Sequence, residues 1–166
     1  LKKFLPASNN GFYAVGWTNS SDGDISTPPA GSYDGWVFKA DESGNILWDK
    51  CYGGSFREQL TSASFTSDGN IVCSGGTDSP EFSPQGGAFD MYVVKIDTLG
   101  NVIWQTCYGG TGEDYANSIT EASDSSLFLV GYSTSDDGDL TINRGQKDMW
   151  IVKLSSPTQT GINAVQ

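Results

Sequence analysis

Apolar residues fall in short bursts along the chain. Tyr92-Val93-Val94 and Leu127-Phe128-Leu129-Val130 are nearly continuous apolar runs. Such runs predict strands covered on both faces. Nothing keeps a 3.6-residue period over a useful length, so no helix is expected. Between the bursts lie turn signals. Gly44-Asn45 and Gly100-Asn101 each close a hairpin, Gly53-Gly54 and Gly109-Gly110 end a strand, and Ser67-Asp68-Gly69 opens another.

The bursts repeat. Asp34-Gly35-Trp36-Val37-Phe38-Lys39 returns as Asp90-Met91-Tyr92-Val93-Val94-Lys95 and as Asp148-Met149-Trp150-Ile151-Val152-Lys153. Asp41-Glu42-Ser43-Gly44-Asn45-Ile46-Leu47-Trp48 returns as Asp97-Thr98-Leu99-Gly100-Asn101-Val102-Ile103-Trp104, and Cys-Tyr-Gly-Gly follows both, at Cys51 and Cys107. Each unit, about 57 residues long, reads as four strands. The expected first strands are Trp36–Ala40, Tyr92–Ile96 and Trp150–Leu154. The second are Ile46–Cys51 and Val102–Tyr108, the third Gln59–Thr66 and Tyr115–Ala122, and the fourth Asn70–Gly75 and Leu127–Gly131.

The fold class this predicts is all-β: four-stranded antiparallel sheets arranged as β-propeller blades, in an incomplete ring. A β-sandwich is the alternative, but it needs no such repeat. Counted from the first strand, residues 1–32 are the second half of a blade, 33–88 and 89–146 are complete blades, 147–154 start a further one, and 155–166 form an exit linker or tail. A ring of four to eight blades needs more than this. The expectation is that the chain belongs to a longer one, or that further copies complete the ring. The chain opens Leu1-Lys2-Lys3-Phe4, without Met, which favours the first.

Composition narrows the chemistry. Nine Lys and Arg stand against twenty Asp and Glu, a net charge of −11, and there is no His. Nucleic-acid phosphates and anionic membranes are disfavoured, because both are bound through Lys and Arg. Triads, Cys-His pairs and His-ligated zinc are excluded. No apolar run reaches the length of a membrane-spanning helix. Cys51, Cys73 and Cys107 are expected as free, buried thiols, since equivalent positions in adjacent sheets lie too far apart for a disulfide.

The acidic loops are the chemically suggestive feature. Asp22-Gly23-Asp24 and Asp137-Gly138-Asp139 precede a first strand at equivalent places. Carboxylates two residues apart, with glycine between, suit calcium, which takes six to eight oxygens. Asp22, Asp24, Asp137 and Asp139 are the candidate ligands, with Asp34 or Asp148 adding one more. The competing reading is a plain Asp-Gly turn. The middle loop, Asp78-Ser79-Pro80-Glu81-Phe82, lacks the triplet.

Asp34, Asp90 and Asp148 recur with Lys39, Lys95 and Lys153, which favours scaffold roles over catalysis. Trp36, Trp48, Trp104 and Trp150, with Tyr92, are expected between blades. Trp17 is not fixed by the repeat, since its equivalents are Gly76 and Tyr132, and it is the candidate ligand contact.

The combination D-x-[WY]-V-x-K, D-x-x-G-N-x-x-W, C-Y-G-G and S-x-D-G-D resembles tandem propeller repeats of secreted and surface proteins of Bacteroidetes-type bacteria. Those repeats often precede a type IX secretion sorting domain. The resemblance runs to Leu154, and Thr160-Gly161-Ile162-Asn163 looks like the linker to such a domain. It implies an extracellular or cell-surface bacterial propeller, in a family usually without assigned activity. The G-N-x-x-W hairpin is also similar to quinoprotein propeller repeats, although the unit here is longer. The expected function is a non-catalytic module for scaffolding, adhesion or ligand binding, with glycan or surface ligands, and with further blades or self-association completing the ring. The alternative is a carbohydrate-active enzyme using paired carboxylates.

Overall fold

A computed structural model describes residues 1–8, 10–83, 88–140 and 143–155, and strand 162–165 as backbone. Twelve strands account for the regular structure among these residues. They are β1 (Lys3–Pro6), β2 (Phe12–Thr18), β3 (Asp34–Ala40), β4 (Ile46–Tyr52), β5 (Glu58–Phe65), β6 (Ile71–Thr77), β7 (Asp90–Ile96), β8 (Val102–Tyr108), β9 (Asp114–Glu121), β10 (Leu127–Ser133), β11 (Asp148–Leu154) and β12 (Ile162–Val165). They form three four-stranded antiparallel sheets: β1–β4, β5–β8 and β9–β12, each in sequential order. The chain is all-β, as the sequence pattern predicts.

The repeat keeps its period but changes its phase. Each sheet starts at what the sequence unit counts as its third strand. Residues 33–88 therefore contribute β3 and β4 to one sheet and β5 and β6 to the next, and 89–146 divide in the same way. Residues 1–32 hold the first two strands of a sheet, and 147–154 the third. A periodic sequence carries no mark of where a sheet begins; hydrogen bonding decides it. The expected linker 155–166 is also corrected in part, because Ile162–Val165 pairs with β11. This segment lacks the Gly-Asn and Cys-Tyr-Gly-Gly signals, and ladder bonds need only backbone.

The tight turns follow from local chemistry. Asp41 Oδ1 accepts the N–H groups of Ser43 and Asn45, both at 2.9 Å, and Asp97 does the same for Leu99 and Asn101. Gly44 and Gly100 sit at φ 85° and 78°, where side chains are strained.

Two cores hold the sheets together. Leu5, Tyr13, Val15 and Val37 of the first sheet pack on Leu60, Ile71, Tyr92 and Val94 of the second. Val72, Met91 and Val93, from its other face, pack on Ile119, Leu129, Trp150 and Val152 of the third. The middle sheet is thus sandwiched, and every residue of β6 and β7 is buried. The leading strands are neighbours, β1 against β5 and β5 against β9. Tyr92 and Trp150 are fully buried, each side chain worth about 1.5–3 kcal/mol. Trp48 and Trp104 pack at the edges of the two cores, while Trp36 is half-buried.

Candidate functional site at the loop end of the sheets

The meander sends all tight turns to one end of the sheets. The other end collects the long connections 19–33, 78–89 and 134–147 and the short exits 53–57 and 109–113. Every candidate residue from the sequence lies at this second end.

The exits face a geometric demand. Each leaves the last strand of one sheet and enters the first strand of the next. Four strands at about 4.8 Å spacing are about 14 Å wide, close to the reach of five extended residues. An exit loop stretched across the sheet end cannot bond to itself, so its amides need partners elsewhere.

Side chains of the following sheet supply them. In the first exit, Gly54 N–H donates to Glu58 (2.7 Å), Ser55 N–H and Oγ to Glu81 (3.1 and 3.0 Å), Phe56 N–H to Ser79 Oγ (2.9 Å) and Arg57 N–H to Asp78 (2.7 Å). The second exit repeats this position by position. Gly110 donates to Asp114 (2.8 Å), Thr111 N–H and Oγ1 to Asp137 (2.8 and 2.9 Å), Gly112 to Ser135 Oγ (2.8 Å) and Glu113 to Thr134 Oγ1 (2.6 Å). Asp139 adds a bond from Gly109 N–H at 3.0 Å.

Two of the four calcium candidates, Asp137 and Asp139, are thus acceptors for the preceding loop. Asp22 and Asp24 hold the equivalent places in the first sheet, are exposed, and accept no side-chain hydrogen bond from a described residue. The structure does not bring the two pairs together. Among the described residues, no group of three or more acidic or cysteine side chains is arranged to hold a metal ion.

Sequence reasoning missed Glu58, Asp114, Ser79 and Ser135. The serines recur in [ST]-x-S-x-[DE] at Thr18–Asp22, Thr77–Glu81 and Ser133–Asp137, and Glu58 and Asp114 recur in G-G-[ST]-x-x-[DE] at Gly53–Glu58 and Gly109–Asp114. The middle copy carries Glu81 and lacks the Asp-Gly-Asp triplet.

Under the exits lie buried carboxylates. Asp90 and Asp114 are 3% and 0% exposed, and Oδ1 of each lacks a hydrogen-bond partner among the described residues. A Cβ on Gly109 would stand 2.2 Å from Asp90 Oδ1 and 2.7 Å from Asp114 Oδ2, so only glycine fits there. Burial pushes the Asp90 carboxyl up to about 6; the Ser83 hydroxyl opposes the shift, and the negative charges of Asp114 and Asp139 add to it. Burial likewise raises Asp34 and Glu58, against hydrogen bonds that lower them. Asp34 accepts the N–H groups of Ala30 and Gly31, and Asp148 that of Arg144.

The recurring lysines differ. Lys95 and Lys153 pair with Asp68 (2.6 Å) and Asp124 (3.3 Å) at the turn end, while Lys39 lies over the Tyr13 ring. The cysteines are free; Cys73 is buried, Cys51 and Cys107 are half-buried, and burial pushes all three thiols up to about 12.

Aromatic rings break the symmetry of this end. Trp17 is partly exposed and packs edge-on against Tyr33, 5.2 Å between centroids. Farther along, Phe89, Tyr115 and Tyr132 form a row, with Tyr115 and Tyr132 stacked at 6.0 Å. Arg57 lies over Phe89 at 4.8 Å and Lys147 over Tyr132 at 3.6 Å.

No family model matches the sequence. A regulatory protein of Caulobacter vibrioides, FlaEY, is similar to this chain, 25% identical over 118 residues. The match covers 66% of the chain and spans 12% of the length of that relative.

Proposed function

We propose that the three sheets are consecutive blades of a β-propeller in a non-catalytic extracellular or cell-surface module, a scaffold or adhesion unit that binds ligands at its loop end. The observation that carries this is the use of the repeated polar residues. Glu58, Glu81, Asp114 and Asp137 each accept hydrogen bonds from an exit loop, which is work for a scaffold. What departs from the repeat at this end is aromatic: Trp17, Tyr115 and Tyr132, packed against Tyr33 and Phe89, which share one repeat position. Trp17, which is partly exposed, suits the apolar face of a sugar, and Arg57 and Lys147, each lying over a ring of the row, suit acidic substituents. The resemblance to secreted repeats supports the extracellular placement. The word "regulatory" in the name of the Caulobacter relative fits a module that acts through binding. Calcium, as a stabilising ligand, attaches in this proposal to Asp22 and Asp24, whose carboxylates are not engaged elsewhere.

A carbohydrate-active enzyme is the second reading, and the buried pair Asp90 and Asp114 favours it, since one carboxyl is raised toward neutrality as a general acid needs. Gly109 lies across that pair, so a substrate would need the exit loop displaced.

A glycan array followed by titration tests both. The scaffold reading expects binding without turnover, weakened at least about tenfold by Tyr132→Ala or Trp17→Ala. Sugar release abolished by Asp90→Asn would replace it with the enzyme.

A further inference from the structure

One turn recurs at the tight-turn end of all three sheets, but the two junctions between the sheets differ there in chemistry. Ala7, Thr66 and Ala122 donate their N–H groups to the carbonyls of Gly11, Asn70 and Ser126, at 2.8, 2.9 and 2.8 Å. The β1–β2, β5–β6 and β9–β10 turns therefore have one length and align residue by residue. Ser8 stands at the place of Ser67, and Gly69 at that of Ser125. Strand register makes Phe65 the equivalent of Glu121, Tyr13 that of Val72 and Lys39 that of Lys95.

At the junction of the second and third sheets, two carboxylates satisfy the donors. Glu121 accepts from Ser67 N–H (2.6 Å) and Oγ (3.3 Å), and Asp68 accepts from Lys95 Nζ (2.6 Å). At the junction of the first and second sheets both acids are gone. Phe65 replaces Glu121, and the sequence carries Asn9, outside the described residues, in the place of Asp68. The donors remain. Neither Ser8 nor Lys39 has a hydrogen-bond or ion-pair partner among the described residues, and Lys39 Nζ lies 5.2 Å from the centroid of the Tyr13 ring. Lys39 is half-buried, where a cation without a counter-charge is costly.

Space opens where the acids are missing. At the second junction Ser125 Oγ stands 3.2 Å from Ser67 Oγ, whereas Gly69 has no atom within 4 Å of where its Cβ would be. The first junction holds a recess of about 620 Å³, lined by Pro6, Ala7, Ser8, Lys39, Phe65 and Thr98. That is the size of a small-molecule site. Pro6 and Phe65, the latter 38% exposed, give it apolar walls.

We propose that this recess binds a small organic carboxylate with an apolar body. Lys39 Nζ and Ser8 hold the carboxylate, and Phe65 and Pro6 pack on the body. The ligand brings the acid that Glu121 and Asp68 bring to the neighbouring junction, in charge-assisted hydrogen bonds. The site lies at the opposite end of the sheets from the aromatic row, and it needs only the junction of two sheets, whatever their number.

Titration of the isotope-labelled full chain with phenylacetate, followed by amide NMR, tests it. Saturable binding at about 1–10 mM is expected for a ligand of this size, with the largest shifts at Ser8, Gly69 and Thr98. Phenylacetamide, the neutral isostere, is expected to bind at least about tenfold more weakly, and Lys39→Gln is expected to weaken phenylacetate as much. Phe65→Glu installs the carboxylate of the second junction beside Ser8. It is expected to abolish binding and to leave the amide spectrum away from the recess unchanged. No saturable shift up to about 50 mM overturns the proposal, as does phenylacetamide binding as tightly as phenylacetate. Binding that both variants leave intact overturns it too. Shifts confined to residues 53–57 and 109–113 overturn it by moving the ligand to the loop end.

Discussion

Two loops carry the same triplet and lead different lives. Asp137-Gly138-Asp139 clasps the exit loop of the sheet before it, through Thr111 and Gly109. Asp22-Gly23-Asp24 clasps no exit loop among the described residues, and both residues are exposed. Both glycines sit at nearly the same φ, 69° and 68°, so the local conformation does not depend on the clasp. The difference teaches that the triplet shapes a turn by itself, whereas its stabilising work belongs to the neighbouring sheet.

The comparison breaks hardest at the glycines. Gly109→Ala forces a Cβ against two buried carboxylates and is expected to cost more than about 3 kcal/mol in urea unfolding. Gly23→Ala meets no atom within 4 Å and carries only the cost of its φ, about 1 kcal/mol.

Titration sharpens the difference next. Asp90 is buried and its folded pKa, about 6, lies above that of the unfolded chain. The folded state therefore binds this proton more tightly, and stability is gained as pH falls through 6, completely so below the unfolded value near 4. Asp90→Asn is expected to be the more stable protein at pH 8, by on the order of 2–3 kcal/mol, and to lose that advantage below about pH 4. Equal pH dependence in the two proteins would contradict this.

The carboxylates themselves come third. Removing Asp137 strips Thr111 of two hydrogen bonds, so Asp137→Ala is expected to cost about 1.5–2.5 kcal/mol in thermal or urea unfolding. Asp22→Ala should leave the midpoint unchanged. The smallest effect concerns metal. Millimolar calcium is expected to raise the melting temperature by no more than about 2 °C, through Asp22 and Asp24. Asp22→Asn should abolish that rise and Asp137→Asn should keep it; the opposite pattern would move the ion to the clasped loop.

Strands were the most legible level of the sequence. Val102–Tyr108 has its expected bounds, and the other expected strands shift by one or two residues; β3, β7 and β11 begin at Asp34, Asp90 and Asp148, ahead of their apolar runs. The hairpins were legible because Asp, Gly and Asn act within five residues. The phase of the sheets was not, because nothing local distinguishes a connection within a sheet from one between sheets. The clasp was half legible. Its acceptors recur in sequence, but their donors are backbone amides, which every residue except proline carries and no composition reveals. Strand β12 escaped notice for the same reason.

The exit loops also set how the molecule bears load. Each sheet is tied to the next by one short covalent bridge and a row of side-chain clasps on that bridge. Tension applied along the chain would reach the sheets in series, and the first or third sheet, packed on one face among the described residues, would yield before the middle one, which is packed on both. Each sheet that gives way frees roughly 55 residues, which extend to about 190 Å. A pulled molecule would therefore lengthen in discrete steps of one sheet, with the most resistant step last.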